Sequence, residues 1–268
     1  MLRKLGLLTV LAVLSACASV PTPNGNGLAS DRPLEQARAE PGRNVSRFID
    51  RDRSTAIVSY ALPDITLQLP AENPDIDAGQ LALLGNALNR SLCLRLGQYL
   101  EAQPEPSAQA LRIEAVLTGI TPTSKSAAGL SAAVDVFVPG PFRIPVGMGS
   151  IALDARASNA DGTVAFMRWA KGANPVLNSA RISSVGDAYA LLDTFAKEFT
   201  YWLVQDADGD GRRPKLSNAR IAANESLCEA RYGKVDGFGK GMSRLIPLAP
   251  EAIDKGQPQA AGDSSQSD

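Results

Sequence analysis

The sequence predicts a single α+β domain in which a mostly antiparallel sheet is covered on one face by two long amphipathic helices. Residues 77–103 and 184–203 carry apolar side chains at helical spacing, and residues 150–171 contain two alternating strands joined by a short turn. Each helix has an apolar stripe that must be covered, and the hairpin supplies most of the sheet that covers it. The predicted order is strand, helix, strand, hairpin and helix.

The first predicted strand covers residues 55–62 and stops at Pro63. An extended continuation is predicted beyond it, because apolar and polar residues alternate over residues 65–69.

The first long helix is predicted to begin at Asp77, since Gln80 stands three residues later in a capping-box pattern. It is predicted to run for about 25 residues and to end near Pro104. Asn89 lies on a neighbouring face that is expected to be wetter. The apolar stripe consists of Leu81, Leu84, Leu88, Leu92, Leu96 and Tyr99.

The sheet is predicted from three further segments. Residues 111–118 alternate between apolar and polar positions and indicate a half-buried strand. Residues 150–158 and 163–171 alternate in the same way on either side of a turn, in which Gly162 is able to take a positive φ.

The second long helix is predicted to be capped by Ser184 together with Asp187. Asp193 and Lys197 are expected to pair on its polar face, and a short, weakly amphipathic helix is expected over residues 215–232. The buried stripe of the second long helix consists of Ala188, Leu192, Phe195, Phe199, Trp202 and Leu203.

The composition is globular and excludes several function classes. The 268 residues are 44% hydrophobic and 21% charged, with 3 Cys and a formal net charge of −1. These values exclude a disulfide scaffold and a basic nucleic-acid binder. The chain has no His, which excludes a Ser-His-Asp triad, a Cys-His dyad, His-ligated zinc and a haem with a proximal His. No cofactor is predicted.

The N-terminal segment has the pattern of a secretory signal peptide over residues 1–16. Arg3 and Lys4 precede an apolar run that is too short to span a membrane. The run ends in Leu-Ser-Ala-Cys at residues 14–17, which resembles the lipobox of bacterial lipoproteins; the alternative is a plain secreted protein with a chance Cys. The resemblance implies cleavage before Cys17, a diacylglyceryl group on its thiol, and an amino terminus acylated with chains such as palmitate.

The residue after the lipobox cysteine bears on localisation. In lipoproteins of this kind, Asp at this position retains the protein at the inner membrane, and this chain has Ala18 instead. The resemblance therefore implies an outer-membrane anchor with the domain in the periplasm. Two or more acyl chains are enough to hold a protein stably at a bilayer.

The rest of the chain divides into four parts by composition. Residues 17–44 are rich in Pro, Gly, Asn and Ser and are predicted to form a flexible tether. Residues 45–206 contain the periodic segments and form the core domain, and residues 207–248 are expected as an extension packed on that core. Residues 249–268 have almost no large apolar side chain, so a disordered tail is predicted.

Taken together, these elements resemble a known family. The features that carry the resemblance are the lipobox, the Tyr-containing first strand at residues 57–63, the leucine-rich helix, the strand at 111–122, the hairpin, and the helix that contains Phe-Ala-Lys-Glu-Phe-Thr-Tyr-Trp-Leu at 195–203. Over roughly residues 45–206 the chain resembles the bacterial lipoprotein family catalogued as domain of unknown function thirty-three thirteen. More loosely, it is similar to envelope lipoproteins with a TolB amino-terminal-like fold, which act by binding partners.

Cys93 and Cys228 are the two cysteines that remain once Cys17 is lipidated. An even pair in an oxidising compartment favours a disulfide. The alternative is two buried free thiols that behave as small hydrophobic side chains. The sequence leaves both readings open.

Residues 126–150 form an apolar insertion in which only Asp135 and Arg143 are charged. Such an insertion either packs on the core or meets a partner or the membrane. The residues of the candidate partner surface are Val134, Val136, Phe137, Val138, Phe142, Ile144, Val146 and Met148.

A calcium site is a weak candidate at Asp206, Asp208 and Asp210, which alternate as in the first half of an EF-hand loop. The Glu expected at the twelfth position is Ser217, so the favoured interpretation is a solvated acidic stretch that ends a helix. No metal is predicted.

The sequence favours a non-catalytic lipoprotein of the outer membrane, held there by its lipid anchor, that binds another envelope component. A protein partner is expected, and nucleic acid is not. Two alternatives stay open. One is a multimeric pore or secretion subunit, and the other is a hydrolase that works without His, through carboxylates or a Ser-Lys pair.

Overall fold

The computed structural model describes residues 20–21, 27–38, 40, 42–68, 75–124, 147–173, 183–205, 211, 213–235 and 249–254. Within these ranges no helix is both long enough and apolar enough to cross a membrane.

The main sheet has five antiparallel strands in the order β1-β2-β7-β6-β5. A smaller sheet joins β3 and β4 in parallel. The strands are β1 Glu35–Gln36, β2 Arg43–Ile49, β3 Ser59–Ala61, β4 Glu101–Gln103, β5 Arg112–Thr121, β6 Ser150–Asn159 and β7 Gly162–Gly172. The predicted hairpin is β6–β7, and Gly162 at its turn has φ +110°.

Five helices accompany the sheets in the described part of the chain. They are α1 Arg51–Ala56, α2 Ala78–Leu96, α3 Gly186–Leu203, α4 Asn218–Tyr232 and α5 Pro250–Ile253. Helix α3 contacts β6 and β7, α2 packs along α3, and α4 packs on α2. The predicted α+β class, with a mostly antiparallel sheet and long helices, is confirmed.

An aromatic cluster joins α3 to the sheet. The rings of Phe195 and Phe199 stack with centroids 5.7 Å apart, and Trp169 of β7 meets Phe195 edge-on at 5.4 Å. All three side chains are buried, as the apolar stripe of the predicted second helix requires. The leucines of α2 at positions 84, 88, 92 and 96 are fully buried in the same core.

The predicted tether is wrong at residues 35–36 and 43–44, which lie in strands. Strand β1 pairs with β2, and β2 pairs with β7 over seven residues. Val45 of β2 is buried in the core. The alternation in this segment is concealed in the sequence by polar residues with different environments: Asn44 is exposed, Arg43 pairs with Glu198, and Arg47 lies over the Trp202 ring.

The first predicted strand is also partly wrong, since residues 51–56 form α1 and only Ser59–Ala61 form β3. The Asp50 side chain accepts a hydrogen bond from the Arg53 backbone N–H at 3.1 Å and so caps the helix. Beyond β3 the chain stays extended: Ile65 and Leu67 are buried while Thr66 and Gln68 are exposed.

The long helices differ from the prediction at their ends. Helix α2 has the predicted capping box of Asp77 and Gln80, but it ends at Leu96 with Gly97 as its C-cap, and β4 begins at Glu101. Helix α3 begins after Val185 and has no side-chain cap. Asp187, the predicted partner in its cap, is buried and accepts a hydrogen bond from the Gly149 N–H at 2.7 Å.

The predicted pair of Asp193 with Lys197 is replaced by contacts with other residues. Asp193 forms a two-pronged ion pair with Arg95 of α2, with Nη2–Oδ2 at 2.7 Å. Lys197 lies over the Tyr201 ring at 5.7 Å. Because α2 packs along α3, a partner on the neighbouring helix satisfies the Asp193 carboxylate.

The predicted disordered tail is wrong over residues 249–254. This stretch contains α5, and both Ile253 and Asp254 are buried. The physical reason is a buried charge on α2, Arg90, that requires a carboxylate partner.

Candidate functional site

A groove of about 690 Å³ runs beside the first half of α2. It is lined by residues 64–67, by residues of α2 between Ala78 and Asn89, and by Glu251 and Asp254; we call it the α2 groove. Its volume is in the range of ligand-binding clefts. At 1.5 Å rise per residue, the helix segment that lines it is roughly 16 Å long.

One side of the α2 groove is the extended chain that follows β3. The Asn89 side chain holds it by accepting from the Ile65 N–H at 2.9 Å and donating to the Ile65 carbonyl at 3.0 Å. The chain runs close to the helix at Gly85, where a Cβ would stand in ordinary van der Waals contact, 3.4 Å from the Ile65 carbonyl oxygen. The side chain of Asn89 is therefore buried, and the expectation that it lies on a wet face is wrong.

The opposite side of the groove rests on a buried ionic network. Arg90 of α2 forms an ion pair with Asp254, and their side chains are 6% and 1% exposed. Arg90 also donates to the Tyr232 carbonyl at 3.2 Å, and the Tyr189 hydroxyl donates to Asp254 at 2.6 Å. These bonds tie α2, α3, α4 and the chain after α5 into one rigid wall.

Glu251 occupies the end of the groove nearest the start of α2. Its Oε1 accepts hydrogen bonds from the Ser183 hydroxyl at 2.7 Å and from Gln80 Nε2 at 3.0 Å. Together with the Asp77 cap, this carboxylate balances the positive end of the α2 dipole. The helix start therefore adds little attraction for an anion.

Asn86 contributes a polar atom without a hydrogen-bonding partner. Its amide nitrogen donates to the Tyr232 carbonyl at 3.0 Å. Its Oδ1 is buried and has no hydrogen-bonding partner among the described residues, and the residue is only 9% exposed. A buried unpaired acceptor is costly, and Asn86 lines the α2 groove.

The charge of the groove is negative. Its lining holds the carboxylates of Asp64, Glu251 and Asp254 and, within the described ranges, no Lys or Arg. Arg90 neutralises Asp254 from behind, whereas Asp64 is exposed at the edge. The groove therefore favours a cation with N–H donors.

Beyond the groove-lining part of α2, a disulfide joins Cys93 of this helix to Cys228 of α4, with the Cα atoms 5.8 Å apart. Of the two readings that the sequence leaves open, the structure has the disulfide. The Tyr60 hydroxyl donates to the Cys93 carbonyl at 2.9 Å, and burial raises the pKa of Tyr60 above its usual value. Burial raises the pKa of Tyr232 on α4 in the same way.

Most of the residues selected from the sequence lie outside the described residues. They are Cys17, Asp206, Asp208, Asp210 and, in the apolar insertion, Val134, Val136, Phe137, Val138, Phe142, Ile144 and Val146. Met148 is described and is buried at 8% exposure, so it does not belong to an exposed partner surface. In the part of the chain with described coordinates, no cluster of three or more Cys, Asp or Glu is arranged to hold a metal ion.

The groove residues Asn86, Glu251 and Asp254, and Arg90 behind them, were missed by sequence reasoning. One signal was present: Asn86, Asn89 and Arg90 interrupt a leucine-rich helix at spacings of three and four. Three polar side chains on one face of a buried helix indicate that something polar covers that face. The position of Asp254 in a polar tail gave no comparable signal.

Comparison with known families decides which family the chain belongs to. The family described as "Protein of unknown function (DUF3313)" matches residues 25–199, well over half of the chain. The chain belongs to this family. The predicted resemblance to domain of unknown function thirty-three thirteen is thereby confirmed, and the match begins within the segment predicted as a tether. No curated protein matches the chain.

Two solved structures are similar to part of this DUF3313 protein. Both are PelC dodecamers from Paraburkholderia phytofirmans, one of them a point variant, and each is covered over 97% of its chain and covers 59% of this one. The identities are 10% and 9%, with TM-scores of 0.32 and 0.33 for the variant and the unmodified protein respectively. Similarity at this level supports no inference about role.

Proposed function

We propose that this DUF3313 protein is a lipid-anchored protein of the outer membrane that binds another component of the cell envelope through its α2 groove. The observation that carries the anchoring is the Leu-Ser-Ala-Cys sequence at residues 14–17, preceded by a short basic and apolar leader. The disulfide of Cys93 with Cys228 supports an oxidising compartment such as the periplasm.

A binding role is favoured over a catalytic one because two of the three acids that line the groove are engaged by neighbouring side chains, and the third, Asp64, is exposed at its edge. Asp254 is held in an ion pair with Arg90, and Glu251 accepts hydrogen bonds from Ser183 and Gln80. Acid–base catalysis needs a carboxyl group that is free to exchange a proton with a substrate. The walls are also tied to the core by Asn89 and the Arg90 network, which favours a preformed recognition surface.

The anchoring is tested in cells with the full chain and its Cys17→Ser variant. We expect labelled palmitate to enter the unmodified chain, which fractionates with the outer membrane, and we expect the variant to lose both properties because no other group at the site can form the thioether. A Cys17→Ser chain that still carries palmitate and remains with the outer membrane would refute the anchor.

The binding role is tested by introducing a photocrosslinking amino acid at Ala82, which is exposed and lines the groove. Ala160, at the far tip of the β6–β7 hairpin, provides the matched control position. We expect discrete crosslinked envelope products at position 82 and not at position 160. Identical products, or none at either position, would contradict binding through the groove.

A further inference from the structure

We propose that the occupant of the α2 groove is an extended polypeptide segment that inserts a lysine or arginine side chain between Asp64 and Asn86. This inference rests on the proposed binding function and names the chemistry of the partner. It depends on three features of the groove: an unpaired acceptor, an excess of carboxylates, and a length that exceeds a single amino acid.

The unpaired acceptor is the strongest of these features. Asn86 Oδ1 is buried without a hydrogen-bonding partner in the described residues, although the Nδ2 of the same amide is satisfied by the Tyr232 carbonyl. This bond fixes which way the amide points, so Oδ1 cannot exchange places with Nδ2 without losing it. Because Oδ1 is closed to solvent, a ligand meets it only after the Asn86 side chain turns toward the groove, and the ligand must then donate an N–H or O–H.

The carboxylates determine the charge of that donor. Asp64 forms no ion pair within the described part of the chain, and its carboxylate lines the groove together with Asn86. Glu251 adds a second negative charge that no Lys or Arg of the described lining opposes. An ammonium or guanidinium group provides several N–H donors and a positive charge, so its chemistry suits a lining that holds both an unpaired amide oxygen and a carboxylate.

The shape of the groove favours a polypeptide over a free amine. The α2 segment that lines it is roughly 16 Å long, which matches about five residues of extended chain at 3.3 Å each. Ile65, Leu67 and Leu81 give the groove an apolar component suited to small side chains beside the cation. Thr66 also lines it, and within the described ranges its backbone N–H and C=O are unpaired, so they are available to a peptide main chain.

The test uses the full-length chain purified in detergent and three fluorescent peptides with blocked ends. The first is Ala-Ala-Lys-Ala-Ala; the second replaces the lysine with norleucine, which keeps the stem and removes the charge; the third replaces it with Glu. We expect the lysine peptide to bind at least tenfold more tightly than either other peptide, with an affinity that falls as salt is raised. Equal binding of the lysine and norleucine peptides would overturn the proposal.

Two variants of the protein test whether the lysine side chain binds in the groove. Asp64→Asn is expected to lower the affinity for the lysine peptide three- to tenfold and to leave the affinity for the norleucine peptide unchanged. Asp161→Asn, the same substitution at the hairpin tip, is expected to change neither affinity. Asn86→Leu removes the unpaired oxygen and is expected to lower the affinity for the lysine peptide by a similar factor. Equal affinities of the unmodified chain and Asp64→Asn would place the cation elsewhere and refute the site.

Free amines and the cellular tests complete the design. Butylamine has the cation without the main chain, and we expect it to displace the lysine peptide only at far higher concentration; equal potency would refute the polypeptide occupant.

If position 82 still captures an envelope component while no lysine peptide binds, the inference fails and the proposed function stands. If the lysine peptide binds but Ala82 captures nothing in cells, the proposed function fails and the site chemistry stands.

Discussion

Arg90 and Asp254 form an ion pair that is buried between α2 and the chain that follows α5. Their side chains are 6% and 1% exposed, and Tyr189 and the Tyr232 carbonyl complete the hydrogen bonding of the pair. The pair therefore links a residue of α2 to a carboxylate far along the chain. This link determines where the second side of the α2 groove lies.

Replacing Asp254 by Ala is expected to lower the free energy of unfolding by about 3–5 kcal/mol, because it leaves the Arg90 charge buried without a partner. The control is Asp193→Ala, whose ion pair with Arg95 lies at the surface and is expected to contribute about 1 kcal/mol or less. Urea unfolding measures both. Equal losses would contradict the buried pair, and the double variant Arg90→Met, Asp254→Leu is expected to recover much of the stability.

Replacing Asn89 by Ala is expected to cost about 2–3 kcal/mol, since both hydrogen bonds to the Ile65 backbone disappear. Asn44→Ala is the matched control, because the Asn44 side chain is exposed on β2; it is expected to cost less than about 0.5 kcal/mol. The urea midpoints of the two variants measure these losses of stability. If Asn89→Ala loses as little stability as Asn44→Ala, the extended chain is held by other contacts.

Two glycines are expected to respond in opposite directions to Ala. At Gly85 the nearest contact of a new Cβ is 3.4 Å from the Ile65 carbonyl oxygen, so the gain in helix propensity, roughly 0.5–1 kcal/mol, is largely kept. At Gly149 the Cβ would lie 2.8 Å from Thr123 Oγ1 and 2.9 Å from the Thr121 carbonyl oxygen, which is expected to cost about 1–3 kcal/mol. Thermal melts of both variants give the signs, and a destabilised Gly85→Ala with an unaffected Gly149→Ala would contradict the packing described.

The stability is expected to fall as the pH rises above about 10, because burial raises the pKa of Tyr60 and of Tyr232 in the folded state. In the unfolded chain these hydroxyls ionise near pH 10. Above that pH the unfolded state loses protons that the folded state keeps, which favours unfolding by up to about 1.4 kcal/mol per pH unit for each tyrosine. Below about pH 9 neither tyrosine contributes a pH dependence.

Urea midpoints at pH 9, 10 and 11 measure this slope, and Tyr60→Phe isolates the share of one hydroxyl. The variant loses the hydrogen bond to the Cys93 carbonyl, so its stability is lower at neutral pH, but its slope above pH 10 is expected to be shallower than that of the unmodified chain. An identical slope in both proteins would show that Tyr60 ionises normally.

The fold was predictable from the sequence where a periodic pattern and its packing agree. The hairpin of β6 and β7 and the start of α2 at Asp77 follow from alternation and from a capping box, which are local signals. Strand β2 was missed because Arg and Asn conceal its alternation, although Val45 is buried. Helix α1 was missed because its cap, Asp50, precedes residues with strand-like character.

The candidate site was less predictable than the fold, for a physical reason. Its side chains come from α2 and from chain segments far apart in sequence, and their roles depend on which segment covers which face. Asn89 looks like a surface residue until the extended chain at Ile65 covers it, and Asp254 looks like part of a polar tail until Arg90 requires a partner. The role of a buried polar residue depends on its hydrogen-bonding and ionic partners, and a local sequence pattern does not reveal them.

The central claim is that the α2 groove receives a cationic segment of an envelope partner, and a charge reversal beside the crosslinking position tests it most directly. The photocrosslinker is kept at Ala82 in cells, and Asp64→Lys is compared with Asp161→Lys, which makes the same change at the hairpin tip. We expect the crosslinked product to be lost in Asp64→Lys and retained in Asp161→Lys, with equal amounts of folded protein in both. A product that persists in Asp64→Lys at the level of the unmodified chain would contradict the claim.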